Sequence, residues 1–272
     1  MILQIHKPSY PLDQFIDSFL YYSDYRPEHM LDRLLPDGNI TLLIELTGTP
    51  QHVYDNETLA EIQTCRDVWF SGIRDTFLTI PSCRDIAMFV INFRKGMAAP
   101  FLEGPVNIYT NHVVDGALAC APHILELREK LLENSNFAAQ CAIAENHLYQ
   151  FAKSRLHINP CVSYAIEQML IAPAQQTLSG IVDKVGYSHK HFIRMFRQHV
   201  GLTPKMFMRI ARFQRVLHET VQFKTLRWTD IALDCGYYDQ AHFIHDFKNF
   251  SGLTPQSYLE KESRDLNYIP IA

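Results

Sequence analysis

Two stretches near the C-terminal end of the chain each place a row of mostly polar side chains at helical spacing. On the first predicted helix the row comprises Lys190, His191, Arg194, Arg197 and Gln198. On the second it comprises Gln240, Ala241, His242, His245, Lys248 and Asn249. Residues three and four positions apart share one face of a helix. Such a face can donate hydrogen bonds to phosphates and base edges when the helix lies in the major groove of a duplex.

The elements that carry these two rows repeat one another. Ile181, Gly186 and Tyr187 recur fifty residues later as Ile231, Gly236 and Tyr237. After one extra residue in the second turn, the helix and its exit recur as well: His191-Phe192-Ile193, Phe196 and Gly201-Leu202-Thr203-Pro204 match His242-Phe243-Ile244, Phe247 and Gly252-Leu253-Thr254-Pro255. A unit this short cannot bury a core alone, so the two copies are predicted to be helical modules on a shared scaffold.

Each copy has the pattern of a helix-turn-helix. A short helix, predicted over 178–184 and again over 229–235, leads into a Gly-aromatic turn and a polar N-cap, Ser188 or Asp239. We refer to the two units as module one (about 178–200) and module two (about 228–251). A helical bundle whose charged face is merely solvated is the alternative. Duplication of the turn, the helix and the exit disfavours it.

Positive charge is concentrated in one part of the chain. The whole chain has a formal net charge of −4, which alone argues against a nucleic-acid-binding protein. Residues 184–227, however, contain ten Lys or Arg and a single acid, Glu219. Residues 1–183 contain 21 acids against twelve Lys or Arg. Module one and the helix after it are therefore predicted to form an electropositive patch on an otherwise acidic protein, which suits phosphate binding.

The region from Cys161 to Tyr258 contains two helix-turn-helix units about fifty residues apart, and each unit ends with Gly-Leu-Thr-Pro. In these features it resembles the DNA-binding domain of the AraC/XylS family of bacterial transcription regulators. Phe207-Met208 and Arg212-Phe213 in the connecting helix match the family's pattern too. His245 and Asp246 depart from it, since the family usually has Arg and a neutral residue there. Val182 replaces a small Ala that Ala232 keeps in module two.

The resemblance implies a set of DNA contacts. Its base-reading positions fall on Lys190, Ile193, Arg194, Gln240, Ala241 and His245. Phosphate contacts are expected from Ser188, Arg197, Arg209, Arg212 and Lys248, with His191, Gln198 and Asn249 on the same exposed faces. The recognition helices should lie about 34 Å apart and enter successive major grooves on one side of the duplex.

The N-terminal part of the chain has a different residue pattern, with short apolar runs in place of amphipathic helices. Short β-branched and aromatic runs at 40–46, 67–70, 77–80 and 86–93 are separated by turn-forming residues, which predicts a small antiparallel barrel or sandwich. Helical patterns follow at 122–133, 136–156 and 160–170. The predicted fold class is α+β, with a β-rich sensing domain (1–120), a helical linker (121–158) and an all-α DNA-binding domain (159–262).

Two phrases in the N-terminal part, at 33–38 and 93–101, resemble the effector domains of a subgroup of AraC-like regulators and imply a cupin-like β-domain. Candidate effector-binding residues are Arg33, Glu45, Trp69, Arg74, Phe93 and Arg94, which could combine an aromatic wall with a few charges. The alternative assigns the aromatic residues to the core and the arginines to surface ion pairs.

Other chemistries have little support. The six cysteines form no Cys-x-x-Cys pair, and no set of His and Cys residues has zinc-finger spacing, so neither a metal nor a cofactor is expected. Nucleophile-elbow, phosphate-loop and dinucleotide-binding patterns do not occur, which disfavours an enzyme. No apolar run is long enough to span a bilayer and no signal peptide is recognised, so a cytoplasmic protein is expected.

The sequence therefore predicts a DNA-binding transcription regulator that responds to a small-molecule effector. Expected partners are double-stranded DNA, the effector, RNA polymerase and a second copy of the chain. A stripe of Ile124, Leu127 and Leu131 could be the dimer seam, although such a stripe more often reflects ordinary packing within one chain. Two other interpretations stay open for the N-terminal domain: a protein-interaction module without a ligand, and an enzymatic domain targeted to DNA.

Overall fold

The computed structural model of the chain describes residues 2–82, 85–222, 228–261 and 266–271. Its strands are β1 Ile2–His6, β2 Ile16–Ser23, β3 Leu31–Leu34, β4 Ile40–Glu45, β5 Gln51–Tyr54, β6 Glu61–Cys65, β7 Val68–Ser71, β8 Leu78–Pro81, β9 Ala87–Phe93, β10 Val113–Asp115 and β11 Tyr268–Pro270. Its α-helices are α1 Gly116–Cys120, α2 His123–Leu132, α3 Phe137–Ala152, α4 Pro160–Ile171, α5 Leu178–Val185, α6 His189–Val200, α7 Pro204–Gln222, α8 Trp228–Asp234, α9 Gln240–Ser251 and α10 Pro255–Leu259. An antiparallel β-domain followed by a helical domain confirms the predicted α+β class.

The β-domain consists of two antiparallel sheets. The six-stranded sheet has the order β1-β2-β9-β4-β7-β10, and the five-stranded sheet has the order β11-β3-β8-β5-β6. Side chains alternate across the central strand β9: Phe89 and Ile91 belong to the main core, whereas Met88 and Val90 face the opposite way into a second apolar cluster. This alternation follows from the two-residue period of a strand. The first sheet is therefore apolar on both faces.

Helices cover the outer face of the six-stranded sheet. Ile124, Leu127 and Leu131 of α2 are 0% exposed within a single chain, because they pack against the rest of the core. These residues are thus not available for a dimer seam. The apolar stripe on α2 therefore reflects packing within one chain, as the alternative interpretation held. The interpretation of this stripe as a dimer seam is wrong.

The helical domain forms as the local signals predict. The side chain of Ser188 accepts a hydrogen bond from the His191 amide at the start of α6, and Asp239 accepts one from the His242 amide at the start of α9. Gly186, between α5 and α6, has φ = 73°, a left-handed conformation that glycine adopts without strain. The buried phenylalanines of α6 and α9 join the same continuous core as the outer face of the six-stranded sheet.

The end of the chain returns to the β-domain. β11 pairs antiparallel with β3, and Ile269 at its centre is 0% exposed. The Leu35 amide donates to the Asn267 carbonyl at 2.8 Å, and the Ile271 amide donates to the Leu31 carbonyl at 3.1 Å. No strand was predicted here. The segment after the last helix thus supplies an edge strand to a sheet formed more than 180 residues earlier in the chain.

Candidate nucleic-acid interface and effector cavity

Module one presents its polar row to solvent. The apolar side of α6, made of Phe192, Met195, Phe196 and Val200, is buried. Lys190, Arg194, Arg197 and Gln198 are exposed, with Ser188 at the helix start, while His191 and Ile193 are partly exposed. The Arg194 guanidinium lies 3.4 Å from the His191 ring, its one polar contact within the protein that the structure records. A row of largely unused donors can thus reach a duplex.

Module two presents the corresponding row with less charge. Gln240, Ala241, His245, Lys248 and Asn249 are all exposed on α9. The His245 side chain is 69% exposed and its Nδ1 lies 3.3 Å from the amide nitrogen of Asn249. Lys248 is the single Lys or Arg in α9, so this recognition helix carries less positive charge than α6. Two of the ten basic residues counted in 184–227, Lys224 and Arg227, lie outside the described residues.

Two arginines of the connecting helix α7 are engaged inside the protein. Arg209 donates from Nε to Asp246 Oδ2 at 3.2 Å and from Nη2 to Asp246 Oδ1 at 2.7 Å. Arg212 donates to the Gly236 carbonyl at 3.2 Å and lies over the Tyr237 ring at 5.5 Å. Both were expected at phosphates. In this structure they hold module two against α7.

Asp246 is the residue of module two whose structural role the sequence did not reveal. It is 1% exposed, and its hydrogen bond is the main reason why the pKa of Arg209 is raised. The repeat contained a usable signal, because Asp246 occupies the position that the buried Met195 occupies in module one. A carboxylate at a buried position of an amphipathic helix requires a partner. That partner lies 37 residues away in sequence.

A cavity of about 2200 Å³ lies between the two sheets and extends toward α4 and the C-terminal tail. Leu43, Trp69 and Met88 line it from one sheet, and Val53 and Leu78 line it from the other. The wall is completed by Ile166 and Leu170 of α4 and by Tyr268 of β11. Polar and charged side chains, among them Asp32, Arg74 and Glu167, line it as well. Ligand sites commonly combine apolar side chains with polar groups that orient the ligand.

The six candidate effector residues are distributed over different places. Trp69 and Arg74 line the cavity and are 7% and 8% exposed. Phe93 also borders it, but its ring packs at 5.2 Å on Phe101 in the main core. Arg94 lies at the cavity rim and donates to the Asp13 carbonyl at 2.6 Å.

The other two candidates do not line the cavity. Glu45 is 1% exposed, and its carboxylate accepts hydrogen bonds from the amides of Thr47, Gly48 and Thr49, so it stabilises a turn. Arg33 lies over the Phe77 ring at 4.6 Å and reaches the Ser251 carbonyl at the end of α9. It belongs to the contact between the two domains.

Arg74 has an unusual environment. Its Nη1 donates to the Asn111 carbonyl at 3.2 Å, whereas its buried Nε and Nη2 have no acceptor among the described residues. Burial lowers the pKa of Arg74 to about 10, partly offset by the Cys65 thiol, so the guanidinium still carries its charge at neutral pH. A buried cation without a carboxylate is costly in free energy unless a further partner binds.

Both Gly-Leu-Thr-Pro exits pack on the β-domain. A Cβ atom at Gly201 would lie 2.5 Å from Ile73, and the Gly201 carbonyl accepts from Thr110 at 2.8 Å. A Cβ atom at Gly252 would lie 2.7 Å from Arg33 and 2.8 Å from Phe77. Glycine is required at both places because the space is filled and φ is positive, 96° and 70°. The ends of both recognition helices therefore rest on one region of the β-domain.

Comparison with known proteins agrees with this two-part architecture. A helix-turn-helix domain model matches residues 181–261, and a model for a domain of unknown function (DUF6597) matches residues 4–115. The chain is 32% identical over 83 residues to PqrA, a probable transcription factor of Proteus vulgaris. The matched region covers 30% of this chain and 67% of PqrA. The chain belongs to the AraC/XylS family of transcription regulators.

A second relative is an HTH-type transcriptional regulator of Haemophilus influenzae, 38% identical over 101 residues. The match covers 35% of this chain and 33% of that protein, so the chain spans about a third of the length of this relative. Among solved structures, ToxT of Vibrio cholerae is similar with a TM-score of 0.48 and 9% identity, over 89% of this chain and 98% of ToxT.

Among the described helices of this AraC/XylS protein, none is long and apolar enough to cross a membrane. Within the described residues, no group of three or more His, Cys, Asp and Glu side chains is placed to hold a metal ion.

Proposed function

We propose that this protein is a sequence-specific DNA-binding transcription regulator whose β-domain responds to a small molecule. The observation that carries the proposal is the exposed row of donors on α6, repeated on α9, with both helix ends resting on a domain that contains a large cavity. A recognition helix reads bases with such a row when its apolar side is buried against the rest of the domain. Family membership supports the same function.

Base readout is assigned to four exposed side chains, Lys190, Arg194, Gln240 and His245. Phosphate contacts are assigned to Ser188, Arg197 and Lys248, which lie on the same faces. Arg209 and Arg212 are left out of this set because Asp246 and the Gly236 carbonyl already accept their hydrogen bonds. Module one carries most of the exposed charge, so it should provide most of the binding free energy.

Arg194→Ala tests the assignment. An arginine that donates two hydrogen bonds to guanine contributes about 1–3 kcal/mol of discrimination against other bases. Target duplexes are first selected from a random-sequence pool, and affinity for the selected and for a random duplex is then measured at fixed salt. The substitution should weaken binding to the selected duplex by that amount and leave binding to random DNA nearly unchanged.

Lys153→Ala, which removes an exposed charge directly after α3 and outside both modules in sequence, is the matched control and should leave both affinities unchanged. Equal losses on selected and random DNA would show that Arg194 contacts phosphate and reads no base. Failure of the pool to enrich any sequence would contradict sequence-specific binding altogether.

The remaining partners follow from this function. A transcription regulator acts together with RNA polymerase where the chromosome is, which agrees with the expected cytoplasmic location. A homodimer stays a prediction, and its seam must lie elsewhere than on Leu127 and Leu131, since these are buried within one chain.

A further inference from the structure

The tail that contains β11 contacts both domains, and we call residues 266–271 the strap. On one side, all three residues of β11 pair with β3 of the β-domain. On the other side, two side chains of the helical domain hold the strap. The Tyr258 hydroxyl donates to the Leu266 carbonyl at 2.9 Å, and Gln214 Nε2 donates to Asn267 Oδ1 at 2.7 Å. The strap is therefore bonded to α7, to α10 and to the five-stranded sheet.

The strand that pairs with the strap carries a contact to module two. Ile269 lies directly opposite Arg33 in this pair, and residues so placed have their side chains on the same face of a sheet. On this face the Arg33 guanidinium lies over the Phe77 ring at 4.6 Å and reaches the Ser251 carbonyl at the end of α9. A Cβ atom at Gly252 would lie only 2.7 Å from Arg33 Nη1. The strap thus packs beside the arginine on which the exit of module two rests.

Module one rests on other residues of the β-domain. Gly201 after α6 packs on Ile73, and its carbonyl accepts from the Thr110 hydroxyl at 2.8 Å. Ile73 follows β7 of the six-stranded sheet, whereas β3 and β11 belong to the five-stranded sheet. Loss of the strap should therefore disturb the two modules unequally.

We propose that the strap fixes the position of module two on the β-domain through β3 and Arg33, and that specific binding of DNA by both modules depends on this attachment. Detaching the strap leaves β3 as an unpaired edge, so Arg33 loses the strand that packs beside it. Module two then moves while module one keeps its place, and the spacing between the recognition helices is no longer set. The inference rests on the function proposed above, since a fixed spacing matters only to a protein that reads two sites on one duplex.

The attachment is small. β11 has three residues, and Pro270 has no amide hydrogen to donate to β3. Short edge elements of this kind open at a free-energy cost well below that of global unfolding. Removal of the strap should therefore leave both domains folded.

The test compares the full-length protein with a chain that lacks its last seven residues, 266–272. Hydrogen exchange is followed at two matched amides, each at the end of a recognition helix. The Gly252 amide donates to the Lys248 carbonyl at 2.8 Å, and the Gly201 amide donates to the Arg197 carbonyl at 2.9 Å. Without the strap, exchange at Gly252 should be faster by about tenfold, and exchange at Gly201 should be unchanged.

Arg33→Met separates the strap from the contact that it supports. This variant keeps β11 in place, so the Leu35 amide should stay protected, yet Gly252 should exchange faster, as in the shortened chain. Arg94→Met is the matched control. It removes another arginine of the β-domain, one that donates to the Asp13 carbonyl at 2.6 Å, and it should leave exchange at Gly252 unchanged.

DNA binding gives the second measurement. If module two of the shortened chain is correctly placed in about one molecule in ten, affinity for the selected duplex falls about tenfold. Affinity for random DNA, which requires no fixed spacing, should be unchanged. Footprinting should show that protection is lost at the half-site of module two alone.

Three results would overturn the proposal: unchanged exchange at Gly252 in either variant, equal acceleration at Gly201 and Gly252, which would mean a general loss of stability, or an unchanged affinity of the shortened chain for the selected duplex. Arg33→Met decides the matter even if the shortened chain does not fold. The exchange experiment contains no DNA. Failure of the pool to enrich a sequence would refute the proposed function, whereas unchanged exchange would refute the role of the strap, so the two failures can be told apart.

Discussion

The ion pair between Arg209 and Asp246 makes a strong and asymmetric prediction. Arg209→Met leaves the Asp246 carboxylate, 1% exposed, without its main partner. Removing one member of a buried pair destabilises a protein by about 3–5 kcal/mol, and we expect a value of about 3 kcal/mol because the two histidines at 3.7 Å remain nearby. Asp246→Met should be much milder, about 1 kcal/mol, because the Arg209 side chain is 21% exposed and can turn toward water.

Module one shows which side chain can replace Asp246 without leaving a buried charge. Met195 fills the equivalent position of module one, so Asp246→Met restores in module two the side chain that module one uses. The double variant Arg209→Met, Asp246→Met should recover most of the loss, since a packed apolar pair replaces an ion pair with little net change. Trp228 stacks on Phe243 in module two at 5.6 Å. Its fluorescence during urea unfolding, in a Trp69→Phe background, reports the stability of this region.

DNA binding gives an independent reading of the same pair. Asp246→Met releases Arg209, so affinity for random DNA should rise and the salt dependence should steepen by about one released ion. Purely additive losses of stability in the double variant would contradict the ion-pair reasoning. A loss of DNA affinity in Arg209→Met without any loss of stability would instead return Arg209 to the phosphate contacts.

Three further predictions concern the β-domain and its helices. Burial, together with the neighbouring His147, lowers the pKa of His123 to about 4, so as the pH falls the unfolded chain takes up this proton before the folded chain does. The stability that is present above pH 6.5 should therefore decrease toward pH 4, and urea titrations at each pH should show a decrease about 2 kcal/mol larger in the native protein than in His123→Phe. Glu at both Leu127 and Leu131 should unfold the β-domain and leave no folded monomer, because both leucines are fully buried, and sedimentation with circular dichroism distinguishes the outcomes. Ile269→Asp should detach β11, which hydrogen exchange would show as faster exchange of the Leu35 amide, while unchanged protection would mean that the tail is held by other contacts.

Local signals explain why the helical modules could be predicted closely. The caps Ser188 and Asp239, the turn glycines and the apolar stripes all act within one or two helical turns, so their effect does not depend on the rest of the fold. The central strands β4 and β9 were predicted for a similar reason, since buried strands read as continuous apolar runs.

Long-range pairing explains what could not be predicted. β11 has only three residues and acquires its structure from β3, so its own sequence carries almost no strand signal. Glu45 was assigned to a pocket, but a turn two to four residues later uses its carboxylate. Arg74 was named for its charge alone. Its one acceptor, the Asn111 carbonyl, belongs to a segment that the sequence does not place beside it.

The two modules differ in how the chain holds them, and this difference bears on regulation. On α6 of module one, Arg194 and Arg197 are exposed, and the end of this helix rests on residues 73 and 110 of the β-domain. Module two is bound to α7 by two arginines of that helix, which donate hydrogen bonds to Asp246 and to the Gly236 carbonyl. Its position therefore depends on packing against α7. Binding by module one alone would be weakly sequence-dependent, because a single short row reads few bases. On the function proposed above, specific binding would require that module two be held at the right distance, and residues 73 and 77, which pack on the two exits, lie where they would set that distance. A ligand of the proposed sensing domain that moved these residues would change the relative placement of both modules at once, and linkage would then require that DNA which favours one placement change the affinity for the ligand by the same factor.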